Sequence, residues 1–252
     1  MIEVHNLTFG YSSTEDGQIL KGVDFAAQTG KLTALIGTNG AGKSTLLKTI
    51  MGILKGKGEI SVNGKPVSQY STKDFSSTVS YLSQDNDCKV NLSVFEVVML
   101  GRMGSMSFRV SDEDIAATQE VLERLNLQRF ASRRIMELSG GQRQLVFMAQ
   151  ALVKEPKILI LDEPTSALDL YKQFDLLTLL KNLTQENDFT TLVTLHHLDL
   201  AAMFADEIIV LKEGTVYAQG APKDIFTETM MEDVYRVKTK IYIDDNGLPH
   251  VI

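Results

Sequence analysis

Cysteine is nearly missing from this 252-residue chain, in which Cys88 stands alone. One thiol excludes an intramolecular disulfide framework and a cysteine-rich zinc site, and it suits a reducing compartment. Cys88 itself reads as a loop or core filler without chemistry. Basic charge is also short: 25 Lys and Arg face 32 Asp and Glu, a formal net charge of −7. That balance argues against a protein held on nucleic acid by general electrostatics, so no nucleic-acid partner is expected. Long apolar runs are absent too. Residues 200–205 form one of the longest, far short of the ~18 residues that span a bilayer. Residues 1–6 lack the basic start and apolar core of a secretory signal. The expectation is a cytoplasmic protein that reaches a membrane only through a partner. Repeats and low-complexity segments are missing, while 44% hydrophobic and 23% charged residues are ordinary for a globular chain. The length fits one large domain with room for an inserted subdomain.

What is present alternates short aliphatic runs with longer helical patterns, which predicts an α/β fold with a mostly parallel sheet. Residues 2–9, 20–28 and 31–36 read as strands separated by turns, giving an N-terminal antiparallel β region. Residues 43–51 read as a helix, and 58–64 as a strand entering an Asn-Gly turn. From about 86 to 153 the pattern is almost wholly helical, with capping boxes at Ser93/Glu96 and Ser111/Asp114. Ile115, Leu122 and Leu125 fall at helical spacing and predict one buried stripe. This stretch is expected to be a helical subdomain inserted into a single domain spanning 1–252. An apolar strand at 158–161 follows, then helix, strand, helix and strand to about 211, and short pieces to the end.

Gly37-Thr38-Asn39-Gly40-Ala41-Gly42-Lys43-Ser44-Thr45 fits G-x-x-x-x-G-K-[ST], after the strand at 32–36 and at the start of a helix. Glycines let successive backbone N–H groups turn inward around phosphates, and the helix start adds partial positive charge. Lys43 should reach the β- and γ-phosphates and the Ser44 hydroxyl should bind Mg²⁺. Asp162 and Glu163 stand at the carboxyl end of the apolar strand, where open α/β sheets carry ligands. Asp162 would hold the metal, and Glu163, pointing elsewhere, can take a proton from an attacking water.

Leu138-Ser139-Gly140-Gly141-Gln142 has capping-box spacing and opens a helix whose first turn is stripped to glycine, an end that binds anions. An ordinary glycine-rich cap would also explain these residues by themselves. Ser139 lies 139 − 43 = 96 residues beyond Lys43, inside the helical stretch. A second copy of the chain is therefore expected to bring it to the phosphates.

Together these motifs, in this order, resemble the nucleotide-binding subunit of an ATP-binding cassette (ABC) transporter over nearly the whole length. The resemblance implies ATP and Mg²⁺ as cofactors and a head-to-tail dimer with two ATP molecules sandwiched between phosphate loop and signature helix. It also implies that Tyr11 stacks on adenine, that Gln84 touches Mg²⁺ and the attacking water, and that His196 contacts the γ-phosphate. Residues 166–169, ending in Asp169, match the loop that crosses to the opposite site. Two positions depart from the pattern. His197 stands where many relatives carry Asp, and adjacent histidines diverge too far for a paired metal site. Thr38 replaces a common proline at a position that needs no particular side chain.

Residues 94–102 and 231–243 resemble the iron-chelate importers of the siderophore, haem and cobalamin class. That implies an ATPase on the cytoplasmic membrane face, working through separate permease subunits and indirectly with a substrate-binding protein. An exporter ATPase remains an alternative, separated by dependence on an extracellular binding protein. So does a soluble ABC-type ATPase, although no sustained heptads and no second phosphate loop are present. The family's serine-glycine-glycine-glutamine helix start and the lack of Asn-Lys-x-Asp leave little room for a kinase or GTPase.

Overall fold

The computed structural model describes residues 1–12, 17–84, 90–102, 110–245 and 247–252. Cys88 lies outside them. The chain divides into two compact units, Met1–Gln69 with Phe174–Ile252, and Tyr70–Gln173.

The first unit begins with β1 (Ile2–Gly10), β2 (Gln18–Ala27), β3 (Leu32–Ile36), α1 (Lys43–Ile50), β4 (Lys57–Val62) and β5 (Lys65–Pro66). Four of these strands make an antiparallel sheet in the order β2-β1-β4-β5. Ile2, Val4 and Leu7 bury one face of β1, and bulges after Val4 and Leu7 shift its register. The β4–β5 hairpin turns on Asn63 and Gly64, with φ of 50° and 74°. A type I′ hairpin turn needs that sign at both central residues, which is why Asn-Gly was readable as a turn.

In the second unit α2 (Thr72–Thr78) leads into β6 (Val79–Leu82), followed by α3 (Val94–Met99), α4 (Asp112–Arg124), α5 (Gly140–Leu152) and β7 (Ile158–Leu161). Ser71 caps α2, a short helix without a buried residue and hence without an apolar stripe to announce it. Capping boxes open α3 at Ser93/Glu96, α4 at Ser111/Asp114 and α5 at Ser139/Gln142. The expected stripe on α4 needs one correction: Ile115 is 37% exposed, and Thr118 takes the buried place beside Leu122 and Leu125. Thr118 can do so because its hydroxyl donates to Asp114 O at 2.7 Å, leaving no unpaired proton inside. β6 and β7 run parallel, with Leu82 opposite Leu161.

Helix α6 (Leu170–Glu186) carries the chain back to the first unit, which continues with β8 (Thr190–Thr194), α7 (Leu198–Phe204), β9 (Glu207–Lys212) and β10 (Thr215–Gly220). Its strand order is β10-β9-β3-β8, with β3 parallel to both β8 and β9. All five residues of β3 are buried, as a central parallel strand requires. The chain closes with α8 (Pro222–Ile225), α9 (Glu228–Met230), a π-helical turn at Met231–Tyr235, and a hairpin of β11 (Ile241–Ile243) and β12 (Pro249–Val251). The observed fold is the mixed α/β architecture read from the sequence. Among the described residues no helix is long and apolar enough to cross a membrane.

Candidate nucleotide site

In the first unit the site residues follow the carboxyl ends of two paired parallel strands. β3 runs straight into residues 37–45, and β8, with Thr194 opposite Leu35, runs into His196. Gly37, Gly40 and Gly42 all have positive φ. At Gly42 φ is 103° and a Cβ would press on the Ile19 and Leu20 side chains at 3.2 Å, so a side chain would be strained by its conformation and crowded by its neighbours. The tip of the loop, Thr38, Asn39 and Gly40, is exposed, while Ala41, Gly42 and Lys43 are buried. Lys43 Nζ donates to Gly37 O at 2.7 Å and to Thr38 O at 3.0 Å, folding the lysine across its own loop. Ser44 and Thr45 occupy the first turn of α1, half-buried. Tyr11 follows β1, is 70% exposed, and sets its ring edge-on to Phe9 at 5.0 Å, which leaves an aromatic face in solvent. His196 and His197 are both exposed, and His197 occupies the N-cap of α7 without a side-chain capping bond.

The second unit repeats the arrangement with other chemistry. β6 leads to Gln84 and β7 to Asp162 and Glu163, again from paired strand ends. Asp162 is 2% exposed, and its N–H donates to Leu82 O at 2.8 Å. Glu163 turns the chain at φ 51°, in the left-handed region. The structure brings Gln84 and Glu163 together: Gln84 Nε2 donates to Glu163 Oε2 at 2.8 Å.

Helix α5 starts in solvent, with Ser139 and Gly140 exposed. Ser139 Oγ accepts the Gln142 N–H and Gln142 Oε1 accepts the Ser139 N–H. Those two bonds leave the Gly140 and Gly141 amides at the helix end. Gly141 is also needed for contact, because a Cβ there would lie 2.8 Å from Ala167 O. Asp169 accepts from the Lys172 ammonium at 2.8 Å and the Lys172 N–H at 3.0 Å. These bonds, the ammonium's first, hold its carboxyl below the usual range and cap the start of α6.

Two residues without a role in the sequence reading organise this loop. Gln144 Nε2 donates to Glu163 O at 3.0 Å while its Oε1 accepts the Ala167 N–H at 3.1 Å. Gln173 Nε2 donates to Thr165 O at 3.2 Å and Leu168 O at 3.0 Å. Both glutamines are buried, at 9% and 7% exposure. A carboxamide on the buried side of an amphipathic helix was the available signal, since such a group must find partners inside.

The second unit also holds a cavity of about 600 Å³, floored by the end of β6 and edged by Lys73, Arg102, Asp114 and Lys154. Arg102 Nε donates to Asp114 Oδ1 at 3.0 Å. Lys154 Nζ donates to Ser76 O at 2.7 Å and Val79 O at 3.2 Å, and burial lowers its pKa.

A glycine-wrapped lysine after one buried parallel strand, and carboxylates after another, equip a P-loop nucleoside triphosphatase. The model of the family described as "ABC transporter" matches residues 20–166. The iron(3+)-hydroxamate import ATP-binding protein FhuC of Bacillus subtilis is 37% identical over 246 residues, covering 96% of this chain and 90% of that protein. An inward-facing metal-chelate type ABC transporter has a chain with TM-score 0.83 and 28% identity, covering 100% of this chain and 96% of that one. The dimeric cassette MJ0796 in a post-hydrolysis state with ADP and Pi has TM-score 0.79 and 29% identity, covering 88% and 99%. The chain belongs to the ABC transporter family, as its ATP-binding subunit, and the reaction it catalyses is ATP hydrolysis.

Proposed function

We propose that the protein powers uptake of an iron–siderophore or related metal chelate through separate membrane permease subunits, at the cytoplasmic face of the membrane. In this reading residues 1–252 are one ATPase domain with the helical subdomain inserted at about 86–153. Two copies close head to tail on two ATP molecules. The observation that carries the sandwich is the solvent-facing start of α5, whose Gly140 and Gly141 amides are left over by the Ser139/Gln142 capping box. Such an end is made for an anion, here the γ-phosphate held by the other copy, with the loop around Asp169 crossing alongside.

Within one copy, Tyr11 offers its exposed face to adenine. The amides of residues 37–45 and the Lys43 ammonium hold the phosphates. Glu163 receives the proton of the attacking water, Gln84 orients that water, and His196 contacts the γ-phosphate. The donors proposed for the metal fit Mg²⁺ chemically. Ser44 Oγ, the Asp162 carboxylate and Gln84 Oε1 are hard oxygens, and Gln84 turns its nitrogen to Glu163, keeping the carbonyl available. Bound there, Mg²⁺ would neutralise charge on the transferring phosphoryl group. The cavity beside β6 is where a cytoplasmic segment of the permease would seat, next to Gln84. A substrate-binding protein acts only through that permease.

The test is the molar mass of Glu163→Gln by light scattering, with and without Mg-free ATP. A shift from monomer to dimer on adding ATP is expected, and Ser139→Arg in the same background should abolish the shift while ATP still binds. A dimer that survives Ser139→Arg would sink the sandwich. Co-purification of integral membrane subunits, followed by uptake assays with ferric siderophores, tests the cargo; a cargo unrelated to metal chelates would overturn that part.

A further inference from the structure

Gln144 lies just past the first turn of α5, behind the exposed start at Ser139 and Gly140, and is itself buried. Its carboxamide spans the loop after β7: Nε2 donates to Glu163 O at 3.0 Å and Oε1 accepts the Ala167 N–H at 3.1 Å. The first turn of α5 lies against the same loop, so close that a Cβ on Gly141 would meet Ala167 O at 2.8 Å. Two further donors on Glu163 O, the Ser166 N–H at 3.3 Å and the Ser166 hydroxyl at 3.1 Å, belong to the loop itself. Gln144 thus brings the Glu163 peptide a bond from another element.

That bond matters because Glu163 sits at φ 51°. A left-handed residue other than glycine keeps such a conformation only where its surroundings over-determine it. Holding the Glu163 carbonyl holds the ψ of that residue, and with it the placement of the Glu163 side chain relative to α5.

We propose that Gln144 is a positioning residue for Glu163, tying the base of one ATP site to the helix whose start meets the nucleotide of the other. The proposal rests on reading Glu163 as the proton acceptor and the start of α5 as the closing end of the sandwich. Gln144 touches no nucleotide and acts through the Glu163 peptide. Closure that seats α5 on the other copy's nucleotide therefore also sets Glu163 in its own copy.

Gln144→Leu removes both bonds, and Gln144→Met, closer in shape, removes them at a smaller cost to the melt. Gln173→Leu is the control for general loosening, because it strips Thr165 O and Leu168 O of a donor from α6. Phosphate release is measured at saturating Mg-ATP and saturating protein, well below each melting temperature, where a merely less stable variant is still folded. Both Gln144 variants are expected to lose about tenfold to a hundredfold in kcat, as small misplacements of a reacting group do. KM should stay within about twofold of the parental value. Gln173→Leu should melt early yet keep most of its kcat. Added to Glu163→Gln, Gln144→Met should still dimerise with Mg-free ATP, since the start of α5 is untouched. Parental kcat in the Gln144 variants, or equal losses in Gln173→Leu, would overturn the positioning role and leave the sandwich intact. Loss of the ATP-driven dimer in the double variant would move the effect to the helix start and overturn it too. Glu163→Gln that stays monomeric with ATP bound, or turns over at the parental rate, would bring down the underlying reading and the proposal with it.

Discussion

Residues 37–45 and residues 163–169 are both tight loops at the carboxyl ends of buried parallel strands, yet different bonds hold them. The first is shaped by its own backbone: positive φ at Gly37, Gly40 and Gly42, with Lys43 folded onto two carbonyls of the same loop. The second is shaped from outside by carboxamides, Gln84 on the Glu163 carboxylate, and Gln144 and Gln173 on the loop's main chain. A loop made by backbone tolerates exchange of its exposed side chains but not of its glycines. Thr38 is such a side chain, exposed at the tip of the loop. A loop held from outside depends on residues distant in sequence, and it moves when they do.

The sharpest way to set the two loops apart is at Glu163. Glu163→Gln should lower ATP turnover by a factor on the order of a thousand, as loss of a general base does, and leave ATP affinity near the parental value. Phosphate release and calorimetry measure the two quantities; hydrolysis at the parental rate would take Glu163 out of the proton transfer. A middling effect is expected at Gln144. Gln144→Leu strips two main-chain groups of their partner and should cost about 2–4 kcal/mol of stability, read from a urea melt. Thr38→Val in the first loop should shift the same melt by less than about 0.5 kcal/mol. Equal melts for both variants would erase the distinction between the loops.

The smallest effect concerns pH in the helical stretch. Ser111, through its hydroxyl and then its N–H, and next Arg102, hold the Asp114 carboxyl at about 2, below its ordinary value of 3.8. A carboxyl with a depressed folded pKa stabilises the fold above its unfolded pKa and loses that contribution as pH falls through the folded one. Protection of the amides of α4, taken relative to their intrinsic exchange rates, should therefore fall between about pH 4 and pH 2. In Asp114→Asn the start of α4 should already be looser at neutral pH, with less change on acidification. An identical acid response in both proteins would assign the effect to another group.

Much of this was legible before any coordinates. The phosphate loop, the acidic pair and the three capping boxes announce themselves because their chemistry is local: a turn needs glycine and a cap needs a short oxygen acceptor three residues before its N–H. Ile115 misled because helical spacing identifies a stripe without saying where the stripe ends, and a threonine that satisfies its own hydroxyl displaced it. Helix α2 was missed because a helix that buries nothing carries no apolar period. Gln144 was invisible as a partner of Glu163, since the bond joins a helix to a loop on another element. Sequence spacing alone has no means of expressing such a pairing.

The φ of 51° at Glu163 has a consequence for how this protein can change. A left-handed conformation costs a side-chain-bearing residue on the order of 1 kcal/mol, and glycine would take it without strain. The chain keeps an acid at a place its backbone would sooner give to glycine. With Glu163 in the proposed proton-accepting role, selection for heat resistance and selection for turnover would pull on this codon in opposite directions. A lineage kept only for its ability to survive heating would drift here toward a sturdier and silent protein.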